Sequence, residues 1–281
     1  MIPLDRVREK KAVTSGLRGA RREAKNLALL KLKQKKGKLA SKDFKSTWWK
    51  PAKDQLRAES FNKCAYCEAD TKVVAHGDVE HFRPKTIYWW LAYCYENYLY
   101  ACQICNQTYK SNKFNVSGTR LRAPRVTKSM TEDQLKKLAK EMTPDPLDDT
   151  SAPNAAAYAK AAINEKADLI DPYIIDPAKI LVYEADDDTR EVIVKVKPRA
   201  ANRAAMQKAL DDDFGLNREE LRTARYQDYE IANRIATALK AGDDTIAAAL
   251  RPALATLMAK EHRFAGMIRY FNSKVWKIDM D

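Results

Sequence analysis

The sequence predicts an α+β protein that is mainly helical, with a small cysteine-rich module before its middle and one β-hairpin in its C-terminal part. Two observations lead to this prediction. Four of the five cysteines form two Cys-x2-Cys pairs, and short strand patterns lie between the pairs. Most of the remaining chain shows helical spacing of apolar residues, apart from two alternating segments around an Asp-rich turn.

The composition is that of a globular protein. The chain has 281 residues, of which 45% are hydrophobic, and it contains 5 Trp and 13 Tyr. This length is enough for one large or two modest domains. No run of 18 apolar residues is present, and the charged start from Met1 to Lys11 lacks the apolar stretch of a signal peptide. We therefore expect a cytoplasmic protein that is not bound to a membrane.

A basic helical N-terminal region is predicted over residues 1–63. A first helix that ends near Gly37 is expected within residues 18–40, and a second over 44–61 with Trp48 and Trp49 as core or docking aromatics. Pro51 either interrupts this second helix or marks its first turn.

The positive charge is concentrated in the same region. Residues 1–63 contain 19 Lys and Arg against 6 Asp and Glu, whereas residues 64–281 contain 32 of each. A basic surface of this kind favours a polyanionic partner, because each neutralised phosphate releases counterions. The alternative is a solvated helix face, and charge alone does not decide between the two.

The cysteine spacing predicts a structural zinc site. In a reducing compartment, paired cysteines indicate metal rather than disulfides. Two knuckles supply the four thiolates of a tetrahedral site, and the alternative is a chance pairing of buried thiols. Cys94 falls outside the pairs and is interpreted as a small buried hydrophobe. The predicted ligands are Cys64, Cys67, Cys102 and Cys105.

Residues suited to phosphodiester hydrolysis lie between and just after the two knuckles. His81 is a natural general base, since an unperturbed imidazole titrates near neutrality. Glu80 and Asn106 offer hard oxygen ligands for Mg²⁺ or Mn²⁺, with positions left for water and phosphate. Asp78 shares a strand face with Glu80 and is the alternative ligand.

This arrangement resembles the HNH, or ββα-metal, nucleases. The resemblance rests on Asp-Val-Glu-His at 78–81, on Asn97, and on the Cys-x2-Cys-Asn element that ends at Asn106. It implies a zinc-stapled ββα-metal (HNH) module embedded in a mainly helical protein. It also implies that Glu80 and Asn106 bind the catalytic Mg or Mn ion, that His81 activates water, and that Asn97 holds the loop that aims His81.

Three basic side chains are expected to contact DNA near this site. Lys110 falls one helical turn after Asn106 and is expected at the scissile phosphate. Arg83 and Lys85 border the site and are expected to bind phosphates of the nucleic acid.

More specifically, the chain resembles the HNH nuclease subunit of the Septu and retron-associated anti-phage systems. This resemblance covers about residues 64–281 and implies a defence role and an ABC-like ATPase partner. Its motifs are CAYCE at 64–68, DVEHFRPK at 78–85, YWWLAY at 88–93, CQICNQTYKSNKF at 102–114, LIDPYIIDP at 169–177, GLNREEL at 215–221 and FAGMIRYF at 264–271.

The resulting division of the chain is an HNH nuclease module with a four-cysteine zinc site over residues 64–116 and a mainly helical C-terminal domain over 117–281. A hairpin is expected near 180–197, and helices near 131–142, 155–169, 217–239, 243–259 and 263–271.

Several aromatic and apolar side chains admit two interpretations. Trp89, Trp90, Tyr93 and Tyr98 could stack on bases, but their spacing favours a core role. Phe264, Met267, Ile268 and Phe271 could contact the ATPase partner, but a local core is favoured there too. His76 is expected in an exposed turn, and His262 on a helix surface or in a salt bridge.

Two hypotheses for function follow. The first is a metal-dependent endonuclease that acts on DNA. The alternative is a zinc-stabilised nucleic-acid-binding or scaffold protein with a degenerate nuclease site. The presence of His81 beside Glu80 and Asn106 favours the enzyme, because a pure binding protein needs no base next to a pair of hard metal ligands.

Overall fold

The computed structural model describes residues 1–71, 77–242 and 244–280. His76, expected in an exposed turn, lies outside these ranges, as does Asp243 at the start of one predicted helix. In the described ranges the fold is mainly helical with two small hairpin sheets. The strands are β1 Asp78–His81, β2 Tyr98–Ala101, β3 Leu181–Asp186 and β4 Glu191–Val196. The α-helices are α1 Gly19–Lys36, α2 Lys53–Glu59, α3 Glu132–Glu141, α4 Ala155–Asn164, α5 Arg203–Lys208, α6 Glu219–Lys240, α7 Asp244–Met258 and α8 Ala265–Phe271.

The first predicted helix is present and ends near Gly37, as expected. Helix α1 stops at Lys36 because Gly37 adopts a φ of 71° and its N–H caps the carbonyl of Lys33. Glycine enters this region without steric cost, so it commonly terminates helices.

The predicted helix over residues 44–61 is wrong as a single element. Short 3₁₀ turns occupy Ser46–Trp48 and Lys50–Ala52, and only α2 is α-helical. Pro51 lies in the first turn of the helical stretch that runs from Lys50 to Glu59, which is the second of the two roles predicted for it. Trp48 and Trp49 lie in turns, where both are half-buried.

Each hairpin is antiparallel. In the first, Asp78 pairs with Ala101 and His81 pairs with Tyr98. In the second, Leu181 pairs with Val196, which confirms the hairpin expected near 180–197. Helix α3 begins at a capping residue, since the Thr131 hydroxyl accepts a hydrogen bond from the backbone N–H of Gln134.

One continuous apolar core joins the three predicted regions. Its buried members include Leu30 from residues 1–63, Tyr93 from residues 64–116 and Val194 from residues 117–281. The favoured core interpretation of two residue groups is confirmed, because every one of their side chains is buried: Trp89, Trp90, Tyr93, Tyr98, Phe264, Met267, Ile268 and Phe271.

The N-terminal segment is built into this core rather than appended to it. Ile2 and Leu4 are buried, and the Arg6 guanidinium lies 3.0 Å from the Glu59 carboxylate. In the part of the chain that the structure describes, none of the helices is both long enough and apolar enough to cross a membrane.

Candidate active site

The four paired cysteines come together in the structure. The Sγ atoms of Cys64, Cys67, Cys102 and Cys105 all lie within 4.8 Å of one another, and all four residues are buried. A tetrahedral zinc ion with Zn–S bonds of about 2.3 Å places its sulfurs about 3.8 Å apart, so this cluster could hold zinc after a small contraction.

Backbone contacts of the hairpin position the two knuckles. The N–H of Ala65, inside the first knuckle, donates to the carbonyl of Tyr100 on β2 at 2.9 Å. In the second knuckle the N–H of Cys105 donates to Sγ of Cys102 at 3.4 Å, a contact that stabilises a thiolate. The hairpin that carries His81 and the four-cysteine cluster therefore share one framework.

Arg218, just before α6, contacts the same cluster. Its Nη1 lies 3.7 Å from Sγ of Cys105. Hydrogen bonds from the neighbouring thiols, that of Cys102 foremost, lower the pKa of Cys67, and the charge of Arg218 acts in the same direction. Arg218 belongs to the GLNREEL motif, but nothing in its local sequence indicates a partner 113 residues earlier.

A cavity of about 640 Å³ opens beside the first hairpin. Five residues predicted for the site line it together, and so do residues of the N-terminal region that the sequence did not assign to the site. The predicted residues are Asp78, Glu80, His81, Lys85 and Asn106, and the additional ones include Trp49, Lys50 and Lys53.

His81 lies at the floor of this cavity with 5% of its surface exposed. Its Nε2 is 2.9 Å from the carbonyl oxygen of Ala92, which also accepts a hydrogen bond from the Tyr98 hydroxyl at 2.7 Å. Because a carbonyl oxygen only accepts, Nε2 carries the ring proton and Nδ1 keeps its lone pair. Burial lowers the pKa of His81 to about 3, so the ring is neutral at physiological pH.

Glu80 forms a buried ion pair rather than standing alone. Nζ of Lys110 is 2.5 Å from Oε1 of Glu80 and 3.1 Å from the backbone oxygen of His81. Burial raises the pKa of Glu80, and the Lys110 ammonium opposes this shift. Lys110 has no exposed surface and does not line the cavity, so it does not lie where the expected phosphate contact would place it.

Asn106 and Asp78 reach the cavity from different elements. Asn106 lies in the helical segment Ile104–Lys110, whose π-type hydrogen bonding is shown by the bond from the Ser111 N–H to the Asn106 carbonyl at 2.8 Å. The Asp78 carboxylate is 3.2 Å from Nε2 of Gln107 and 3.8 Å from Nζ of Lys53.

The donor set around the cavity fits a hard divalent cation. Glu80 and Asn106 both line a space that has room for water ligands, and both carry oxygen donors of the kind that Mg²⁺ and Mn²⁺ require. Among the described residues, the only cluster of three or more His, Cys, Asp or Glu ligands is the four-cysteine group. An ion in the cavity would therefore take few protein ligands, from Glu80, Asn106 or Asp78, and complete its shell with water.

Asn97 ties the loop after β1 to the hairpin. Its Oδ1 accepts from the N–H of Arg83 at 2.9 Å, and its Nδ2 donates to the carbonyl oxygen of Arg83 at 3.0 Å. The Asn97 carbonyl also accepts from the N–H of Phe82 at 2.9 Å. The side chain is fully buried, and these bonds fix the chain immediately after His81.

Arg83 points away from the cavity, contrary to the expected phosphate contact. Only 1% of its surface is exposed, its Nε is 2.7 Å from the Glu165 carboxylate, and its Nη1 is 3.1 Å from the Tyr158 hydroxyl. We therefore do not retain Arg83 among the nucleic-acid contacts. Glu165 follows Arg83 by 82 residues, and no local motif indicates this pairing.

Part of the chain is similar to the Septu protein PtuB of Bacillus mycoides (strain KBAB4), with 37% identity over 82 residues. This match supports a Septu-like relationship. It covers 24% of this chain and 28% of the length of PtuB. No protein-family model matches the chain, and no solved structure matches it.

Proposed function

We propose that the chain is a metal-dependent HNH endonuclease that hydrolyses phosphodiester bonds of DNA. The observation that carries this proposal is the convergence of His81, Glu80 and Asn106 on one cavity next to the four-cysteine cluster. A neutral histidine with one free ring nitrogen, placed beside hard oxygen donors, suits hydrolysis better than it suits nucleic-acid binding alone.

In this mechanism His81 is the general base. Nδ1 takes a proton from the water that attacks phosphorus as the bond from phosphorus to the leaving ester oxygen breaks, while the bond from Nε2–H to the Ala92 carbonyl keeps the ring oriented. Asn97 positions His81 indirectly, because it holds the loop that leaves β1.

Glu80 and Asn106 would hold a Mg²⁺ or Mn²⁺ ion. When bound, such an ion stabilises the negative charge that develops on the phosphate. Lys110 is a positioning residue in this scheme, since it holds Oε1 of Glu80 by a buried ion pair. Asp78 remains the alternative ligand, because it lines the same cavity.

The cavity wall supplies the charge for DNA. Lys50, Lys53 and Lys85 line it, so the basic N-terminal region contributes to the site directly. Contacts of this kind hold phosphates and position the strand without reading its sequence.

The similarity to PtuB supports a role in a Septu-like anti-phage defence system. We include an ABC-like ATPase as the partner, as the resemblance implies. Phe264, Met267, Ile268 and Phe271 are buried and cannot form its docking surface. The acidic-leaning part of the chain, residues 129–281 with 27 Asp and Glu against 23 Lys and Arg, is the proposed contact region.

Plasmid nicking by the purified, zinc-loaded full chain tests the proposed activity. We expect nicked plasmid when Mg²⁺ or Mn²⁺ is added, and none when no divalent cation is added. Absence of cleavage with both cations, alone and with a co-expressed ATPase partner, would contradict the nuclease proposal. It would favour the alternative of a zinc-stabilised nucleic-acid-binding or scaffold protein.

A further inference from the structure

The catalytic side chains are recessed. His81 and Glu80 are 5% and 4% exposed, and both are reached through the cavity of about 640 Å³. Cavities that hold one drug-sized ligand measure about 300–1,000 Å³, so this volume suits one or two nucleotides rather than a section of duplex. A strand with unpaired nucleotides can bend its backbone into such a space, whereas bending a duplex has an elastic cost.

Trp49 forms the wall of the cavity next to His81. The two ring centroids are 4.8 Å apart with an interplanar angle of 86°, so they meet edge to face. A second contact supports the indole, because Tyr93 stacks near it at 6.1 Å and 28°. Tyr93 is itself buried, and its hydroxyl accepts a hydrogen bond from the N–H of Lys45. Trp49 is therefore a fixed, half-buried aromatic surface at the proposed base.

Lys85 covers this aromatic surface on the cavity side. Its Nζ lies 5.4 Å from the centroid of the Trp49 ring, a cation–π distance. In the described part of the chain, Nζ of Lys85 has neither an ion pair with a carboxylate nor a hydrogen bond. The charge of Glu80 stabilises this partly buried ammonium without pairing with it directly, so the ammonium suits an anionic ligand, and its flexible stem lets it move aside.

We propose that Trp49 stacks on an unpaired base next to the scissile phosphate, while Lys85 moves from the indole onto a phosphate. The site then accepts single-stranded or locally unpaired DNA in preference to continuous duplex. This inference rests on the proposed nuclease function and names its substrate class. Stacking tolerates any base, because every base has a π-face, so it requires no sequence preference.

Equilibrium binding tests the proposal. The full chain is zinc-loaded and kept without other divalent cations. It is titrated into a fluorescently labelled single strand of about 12 nucleotides and, separately, into a duplex of the same sequence. This length lies within the site sizes of single-strand-binding folds. We expect tighter binding of the single strand. Trp49→Leu should weaken that binding on the order of 10- to 100-fold, the range typical for loss of one stacked base. Trp49→Phe should stay within about threefold of wild type, because it keeps a stacking ring.

The matched control is Trp48→Leu. Trp48 is the adjacent half-buried tryptophan and contacts the same Tyr93 at 4.8 Å, but it does not line the cavity. The Trp48→Leu variant should bind the single strand with an affinity within about threefold of wild type, since Trp48 offers no stacking surface in the cavity. Equal losses in Trp48→Leu and Trp49→Leu, or equal affinity of the wild type for duplex and single strand, would overturn the proposal.

A second measurement covers the case in which Trp49→Leu fails to fold. The wild-type chain is titrated into a single strand that carries one 2-aminopurine, whose fluorescence falls when it stacks. Quenching at one position supports the proposal, and no quenching at any position overturns it. If binding depends on Trp49 but neither the wild type nor any variant cleaves DNA, the nuclease function alone is contradicted. If the protein cleaves DNA but binds it independently of Trp49, this inference alone is contradicted.

Discussion

Nζ of Lys110 lies 2.5 Å from Oε1 of Glu80, the residue before His81 on β1, and both side chains are buried. The pair changes the expected role of Lys110. The Lys110 ammonium neutralises Glu80, the proposed metal ligand, in the protein interior and does not contact a phosphate in the cavity. The same ammonium also contacts the backbone oxygen of His81 at 3.1 Å, so it links the ligand to the strand.

Lys110→Met should destabilise the protein strongly. Removing one member of a buried ion pair leaves the other uncompensated, which costs about 3–5 kcal/mol of unfolding free energy. Glu80→Gln combined with Lys110→Met should cost less than the sum of the single changes, because the coupling is then lost only once. Urea denaturation of the wild type, the two single variants and the double variant measures this coupling. Additive losses of unfolding free energy would show that the two side chains are not coupled.

The purified chain should contain about one zinc ion. The variants Cys64→Ser and Cys105→Ser should each lose this ion, and the module should unfold, since zinc binding at such sites supplies folding energy. Elemental analysis and circular dichroism measure both effects. Cys94→Ser is the matched control, because Cys94 is equally buried but lies outside the cluster. A chain that folds without zinc would refute the structural role of the cluster.

Arg218→Met should release zinc to a chelator more readily, with apparent affinity lower by about 10- to 100-fold, as is typical for partners of metal ligands. The reason is the loss of the guanidinium 3.7 Å from Sγ of Cys105. Competition with a zinc-binding dye gives the affinity. Arg222→Met is the control, since Arg222 bonds to Glu191 and the Asn217 carbonyl instead. Equal zinc affinity in both variants would remove Arg218 from the site.

Arg83→Met and Lys85→Met should separate stability from DNA binding. Arg83 pairs with Glu165 in the interior, so its loss should lower the unfolding free energy by about 3–5 kcal/mol. Lys85 lines the cavity, so its loss should leave stability nearly unchanged and reduce the slope of log affinity against log salt by about 1. The opposite result, with a salt effect for Arg83 alone, would contradict this assignment.

Local spacing predicted the features that depend on neighbouring residues. The four-cysteine cluster, the C-terminal hairpin and the gathering of Glu80, His81 and Asn106 in one cavity follow from motifs that each span a few residues. Because the two knuckles meet at one site, they bring together the motifs that lie between and just after them. The sequence alone therefore predicted that these residues are close to one another.

Long-range partners could not be predicted in this way. Arg83 stands in a motif rich in site residues, but its side chain turns to Glu165 across a distance of 82 residues. Residues 1–63 carry the excess charge as expected, but Leu30 and Leu56 of this region are buried and Trp49 forms a cavity wall. Deletion of this region would remove part of the core, so point substitutions test its role in DNA binding better than truncation.

Cleavage of DNA by matched histidine variants tests the central claim most directly. His81→Ala removes the proposed base, whereas His262→Ala removes a histidine that bonds to the Arg263 carbonyl and does not line the cavity. Each zinc-loaded variant is incubated with plasmid and single-stranded DNA and with Mg²⁺ or Mn²⁺. We expect His81→Ala to bind DNA normally and lose cleavage by at least about 100-fold, since general bases contribute typically 10²–10⁴-fold, while His262→Ala cleaves like the wild type. Undiminished cleavage by His81→Ala would contradict the account.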